Sequence, residues 1–81
     1  MKVVLSDRAI EDLEHAPSAV QRAFEKHLRL LALNRHHPSL RTKKYQEAEG
    51  IWQARVNRDW RFYFNIAGDT YIIRDIIPHP K

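Results

Sequence analysis

The chain has 81 residues, enough for one domain around one small core, because short chains bury a lower fraction of their surface and cannot divide that core. Two Trp, three Tyr and three Phe exclude a disordered chain, and the absence of Cys excludes disulfides and thiolate-bound zinc. Lys and Arg outnumber Asp and Glu by 14 to 10, and the pI of about 9.8 suits a polyanionic partner such as nucleic acid, or equally an acidic protein.

Met1 to Ser6 holds too short an apolar run for a secretory signal, and no later segment approaches the length of a membrane span. The expectation is a soluble, cytoplasmic protein. Lys2 to Leu5 reads as a strand, and Ser6-Asp7 as the N-cap of a first helix, Asp7 to His15, whose apolar face carries Ala9, Ile10 and Leu13. Pro17 breaks that helix. Ser18 and Gln21 have the form of a capping box opening a second helix, with Val20, Phe24, Leu28 and Leu31 in one stripe. It runs to about Asn34, which ends it in the left-handed conformation before an exit loop from Arg35 to Pro38. The two helices form a hairpin.

From Leu40 the period changes to that of a β-meander. Lys43-Lys44-Tyr45 leads through a polar turn, Gln46 to Gly50, into a strand from Ile51 to Asn57. Arg58-Asp59 turns the chain into Trp60 to Ile66, and Ala67-Gly68-Asp69 closes the next hairpin. Alternation puts Trp52, Ala54, Val56, Phe62, Phe64 and Ile66 on one face and Gln53, Arg55, Arg61 and Tyr63 on the other. Tyr71 to Ile77 reads as a central strand whose facing Arg74 and Asp75 leave ambiguous, and Pro78-His79-Pro80-Lys81 ends the pairing. The fold class is α+β: an N-terminal strand, a two-helix hairpin and an antiparallel meander in a single domain, 1–81.

If the helices cover the aromatic face, the opposite one is cationic and aromatic together. Arg55 and Arg61, on neighbouring strands, can converge on one phosphate, with Tyr63 as a stacking surface. Alternatively this is a solvated face whose Arg residues pair with Asp59 or Glu49. His79 suits proton transfer at a ribose 2′-hydroxyl or a leaving 5′-oxygen, or it is an exposed side chain in a mobile tail. Lys43-Lys44 could lie against phosphates or be solvated surface. The adjacent side chains of His36 and His37 diverge, and no further ligand stands at metal spacing, so no metal site or cofactor is expected.

The stretch Ile51-Trp52-Gln53-Ala54-Arg55-Val56-Asn57-Arg58-Asp59-Trp60-Arg61-Phe62-Tyr63-Phe64, preceded by Leu40-Arg41-Thr42-Lys43-Lys44, resembles the aromatic-x-x-R-V, short turn, aromatic-R-hydrophobic hairpin of the RelE/ParE toxins of type II toxin-antitoxin systems. The likeness spans nearly the whole chain. RelE-like members cut mRNA in the ribosomal A site without a metal, which implies a metal-independent endoribonuclease here. By position, the resemblance gives Arg61, Arg55 and His79 the catalytic roles. Lys43, Lys44, Gln53, Tyr63 and Lys81 fall to RNA binding and Asp59 to support. It also implies a cognate antitoxin as partner, with mRNA and the ribosome, in a homodimer or a toxin-antitoxin hetero-oligomer. Gln53 stands where the family has a cation, and the sequence ends at Lys81 without the terminal Tyr segment of many active relatives. Two alternatives therefore stay open: a ParE-like inhibitor of DNA gyrase, and an inactive remnant that binds antitoxin.

Overall fold

The structure, a computed structural model, describes residues 1–79. In chain order it holds β1 (Lys2–Leu5), α1 (Asp7–His15), α2 (Ser18–Leu33), β2 (Lys43–Gln46), β3 (Ile51–Arg55), β4 (Trp60–Ala67) and β5 (Thr70–Pro78). Short 3-10 turns, Pro38–Leu40 and Glu47–Glu49, flank β2. The strands form one sheet in the order β1-β5-β4-β3-β2. β2 to β5 are the expected antiparallel meander, whereas β1 runs parallel to β5. A parallel neighbour needs a crossover connection, and the helical pair opens that connection. Among the described residues, no helix is long and apolar enough to cross a membrane.

The helices cover the aromatic face. Trp52 pairs with Phe64 and Ala54 with Phe62, and the Phe24 ring of α2 meets Phe62 edge-on at 5.3 Å. Ala9, Val20, Leu31, Leu40, Tyr71, Ile73 and Ile76 complete the buried cluster, while Ile10, expected on the inner face of α1, is exposed.

The N-cap expected at Ser6 forms, whereas the signals expected to open and to close α2 resolve differently. Ser6 caps α1, its Oγ accepting from the Ala9 N–H at 3.1 Å. At α2, however, Pro17 is the cap residue and Ser18 is already helical. Gln21 therefore reaches back to α1, where its Nε2 donates to the Leu13 carbonyl at 2.9 Å, a second bond on the oxygen that already accepts the Ala16 N–H at the helix end. Asn34 ends α2 in an extended conformation, φ −163°, with its side chain accepting from the His36 N–H. The left-handed residue comes later, at Arg41.

A bulge settles the facing of β5. Tyr63 pairs with Asp75 but Phe64 with Ile73, so Arg74 is the extra residue. Tyr71, Ile73 and Ile76 can thus all face the core while Asp75 and Ile77 turn to the other face. The irregular backbone groups are caught from the α1 side: Ser6 Oγ donates to the Arg74 carbonyl at 2.7 Å, and the Ile76 N–H donates to Asp12 Oδ2 at 3.0 Å.

Asp75 carries a consequence for stability. Burial, reinforced by the nearby Asp12 carboxylate and opposed by Arg8 and Arg74, raises its carboxyl above the ordinary range, and its enclosed Oδ1 has no partner among the described residues. The fold therefore favours the protonated form. That contribution is complete below the unfolded value and is lost as pH rises through the folded one. Asp75→Asn, which is neutral throughout, is expected to stabilise the protein at pH 7 by a fraction of about 1 kcal/mol, since solvent screens a half-buried carboxylate, and to change little at pH 3. Urea denaturation at the two pH values checks this, and a loss at pH 7 would show a carboxylate engaged by its Arg neighbours.

Candidate functional site

The β3–β4 register sets Arg55 directly opposite Arg61, so both side chains leave the same face of the sheet. The turn between them is built around Arg61. Its Nη1 donates to the carbonyls of Asn57 at 2.7 Å and Trp60 at 2.9 Å, and more weakly to that of Arg58 at 3.3 Å. Asn57 Oδ1 accepts from the Asp59 N–H, and the Val56 N–H donates to the Trp60 carbonyl, so the strand expected to reach Asn57 ends at Arg55. Burial first, then the charge of Arg55, hold the Arg61 guanidinium below its ordinary range; Tyr63 opposes them, Arg41 adds a smaller repulsion and Asp59 a still smaller support. Among the described residues the single ion pair is Arg29–Glu25, on the exposed side of α2. The alternative in which the Arg residues pair with Asp59 or Glu49 is not what the fold adopts. Three guanidinium groups are gathered without direct neutralisation, an arrangement that stabilises a bound anion.

His79 belongs to the same turn. Its backbone N–H donates to the Asp59 carbonyl at 2.7 Å, carrying the pairing one residue past Pro78. Ile77 lies opposite Arg61, so His79 stands two residues beyond that pair on the neighbouring strand. The residue is half-buried and its Nδ1 is enclosed without a partner among the described residues, unlike the side chain of an exposed tail. Asp59 is itself exposed and supports His79 through its backbone carbonyl.

The other expected contact residues separate. Gln53 and Tyr63 are not on an open surface: they are 6% and 8% exposed, and Gln53 Nε2 donates to Tyr63 Oη at 2.9 Å. Tyr45 covers them, its ring 4.8 Å from that of Tyr63, and at 53% exposure it is Tyr45 that presents an aromatic surface. Lys43 pairs with Gln53 and keeps to this face, whereas Lys44 pairs with Trp52 and turns to the other, where its Nζ lies 5.7 Å from the indole centroid. Lys81 lies outside the described residues.

Two residues that sequence reasoning missed join the cluster. Arg41 follows the Pro38–Leu40 turn in the left-handed region, φ 47°, a conformation that costs a non-glycine residue about 1 kcal/mol. His27, half-buried on α2, hydrogen-bonds through Nδ1 to the Arg55 carbonyl. With Ser39, Arg55, Asn57 and Arg58 these two line a groove of about 530 Å³. Position 27 falls three after Phe24 and four before Leu31, on the inward stripe of the helix, and that spacing is the signal that could have found it. No comparable signal marks Arg41.

The family described as ParE toxin of type II toxin-antitoxin system, parDE, matches residues 3–80. No curated protein matches the sequence. Among solved structures, the YoeB/ParE toxin from Agrobacterium tumefaciens superposes with a TM-score of 0.82 at 15% identity over 99% of this chain and 100% of that one. A chain of the RelB-RelE antitoxin-toxin complex from Methanococcus jannaschii gives 0.77 at 17% identity, covering 93% and 88%. YafQ from E. coli gives 0.72 at 17% identity, covering 96% and 92%. At such identities the structural likeness speaks for the fold, and the family match over residues 3–80 speaks for descent: the chain belongs to the ParE toxin family of type II toxin-antitoxin systems.

Proposed function

We propose that this toxin is an endoribonuclease that cuts translated mRNA at the ribosome, with Arg55 and Arg61 on the scissile phosphate and His79 as a proton-transfer residue. The observation that carries the reading is the Arg55–Arg61 pair, opposed across two strands, crowded by Arg41 and lacking a carboxylate partner, beside a backbone-tethered His79. In this reaction the ribose 2′-oxygen loses its proton and attacks phosphorus, the bond to the 5′-oxygen breaks, and that oxygen takes up a proton. The products are a 2′,3′-cyclic phosphate and a 5′-hydroxyl. Guanidinium groups already in place stabilise the charge that grows on the phosphoryl oxygens. His79 takes one of the two proton transfers and solvent the other. Lys43 and the exposed Tyr45 ring offer the RNA further contacts on the same face. The complex in which the M. jannaschii relative was crystallised supports an antitoxin as the controlling partner.

A second reading, inhibition of DNA gyrase through a protein interface, is favoured by the ParE description of the matching family. Primer extension on cellular transcripts after induction separates the two. His79→Ala keeps the backbone N–H that binds Asp59, so it is expected to lower cleavage about 100-fold without unfolding the chain. Uncut transcripts accompanied by a DNA-damage response would favour the gyrase reading.

A further inference from the structure

Apart from Arg55, the residues lining the groove of about 530 Å³ have no part in the bond-making steps above. Three separate parts of the chain wall it: His27 from α2, Ser39 and Arg41 from the turn before β2, and Arg55 and Arg58 from the end of β3 and its turn. No carboxylate lines it, and among the described residues none of its arginines is in an ion pair. The fold thus concentrates positive charge in a concavity, which focuses the field on an anion.

His27 is oriented for such a ligand. A carbonyl oxygen only accepts, so the His27 Nδ1 bonded to the Arg55 carbonyl bears the hydrogen, and Nε2 is the ring nitrogen left for another partner, donating to an anion in the imidazolium form. Arg41 is fixed as well. Its backbone N–H donates to the Pro38 carbonyl at 3.3 Å while its φ of 47° sets the direction in which the side chain departs. A strained conformation that survives at a concave cationic surface is characteristic of a binding position.

We propose that His27, Arg41 and Arg58 form a second phosphate subsite, continuous with Arg55, that holds the RNA backbone phosphate next to the scissile one. The choice of RNA rests on the nuclease reading, whereas affinity for a phosphate group rests on the groove alone.

The test uses the full chain, with inorganic phosphate and a 2′-O-methylated trinucleotide, which cannot be cut, as probes. His27→Asn is the informative variant, because its Nδ2 can still donate to the Arg55 carbonyl while Nε2 is lost. NMR titration of the wild type is expected to shift the His27 ring and the Arg41 and Asn57 amides with both probes. His27→Asn and Arg41→Ala are each expected to weaken both affinities about tenfold, equivalent to about 1.4 kcal/mol. Unchanged affinity in His27→Asn would overturn the subsite even if transcripts are cut. Shifts by inorganic phosphate but not by the trinucleotide would overturn the assignment to RNA. If both probes bind as expected while cellular transcripts stay intact, the subsite holds and the nuclease reading falls.

Discussion

Arg61→Ala is expected to slow transcript cleavage by about two to three orders of magnitude, the usual cost of removing a preorganised donor from a developing oxyanion. The expectation follows from where the guanidinium sits. One edge is committed, through Nη1, to the carbonyls of the β3–β4 turn, and the whole group is crowded by Arg55 and Arg41. An anion that relieves this repulsion binds more tightly as its own charge grows, which is the condition for lowering a barrier instead of only holding substrate. The turn loses its clamp in the same variant, at about 1 kcal/mol, so the chain stays folded. Arg61→Lys keeps the charge but not the fork that joins carbonyls to phosphate, and it is expected to recover only part of the rate. Cleavage rates on translated message, with thermal melts of each variant, check this. A wild-type rate in Arg61→Ala would remove the residue from the reaction.

Phe62→Ala is expected to cost about 3 to 5 kcal/mol, the range for emptying a buried aromatic site. Phe62 is fully buried, edge-on to Phe24 of α2 and 5.9 Å from Phe64 on its own strand, so it joins the helical layer to the centre of the sheet. A domain of 81 residues has a total stability of about 4 to 12 kcal/mol at typical per-residue values. The variant is thus expected to lose much of its cooperative urea transition, and a loss below about 1 kcal/mol would contradict the packing described. Toxicity should fall with stability here, whereas in Arg61→Ala it falls in a chain that stays folded. That contrast separates scaffold from site.

The features legible in the sequence are those that depend on period and local chemistry. The helical stripe through Val20, Phe24 and Leu31, and the alternation that sends Phe62 and Phe64 inward and Arg61 outward, each follow from one repeat distance. Features set by long-range register were not legible. The bulge at Arg74 depends on partners in β4 and on Ser6 and Asp12, more than sixty residues upstream, and no local pattern encodes it. Burial of Gln53 and Tyr63 likewise depends on Tyr45 folding over them from β2, whose own register shifts between Lys44 and Gln46. The site was legible in half. Arg55 and Arg61 follow from strand pairing, but Arg41 enters through a loop conformation, and His27 reads as one more position on a helix until the end of β3 is seen against it.

The central claim, that the arginine pair on β3 and β4 directs attack by a ribose hydroxyl on its own phosphate, is tested most directly by the chemistry of the cut ends. Purified toxin is incubated with translating ribosomes, and the termini of the message fragments are identified. Fragments ending in a 2′,3′-cyclic phosphate and beginning with a 5′-hydroxyl, present with the wild type and lost in Arg61→Ala, are expected. Intact message, or the same fragments at the same rate in Arg61→Ala, would contradict it.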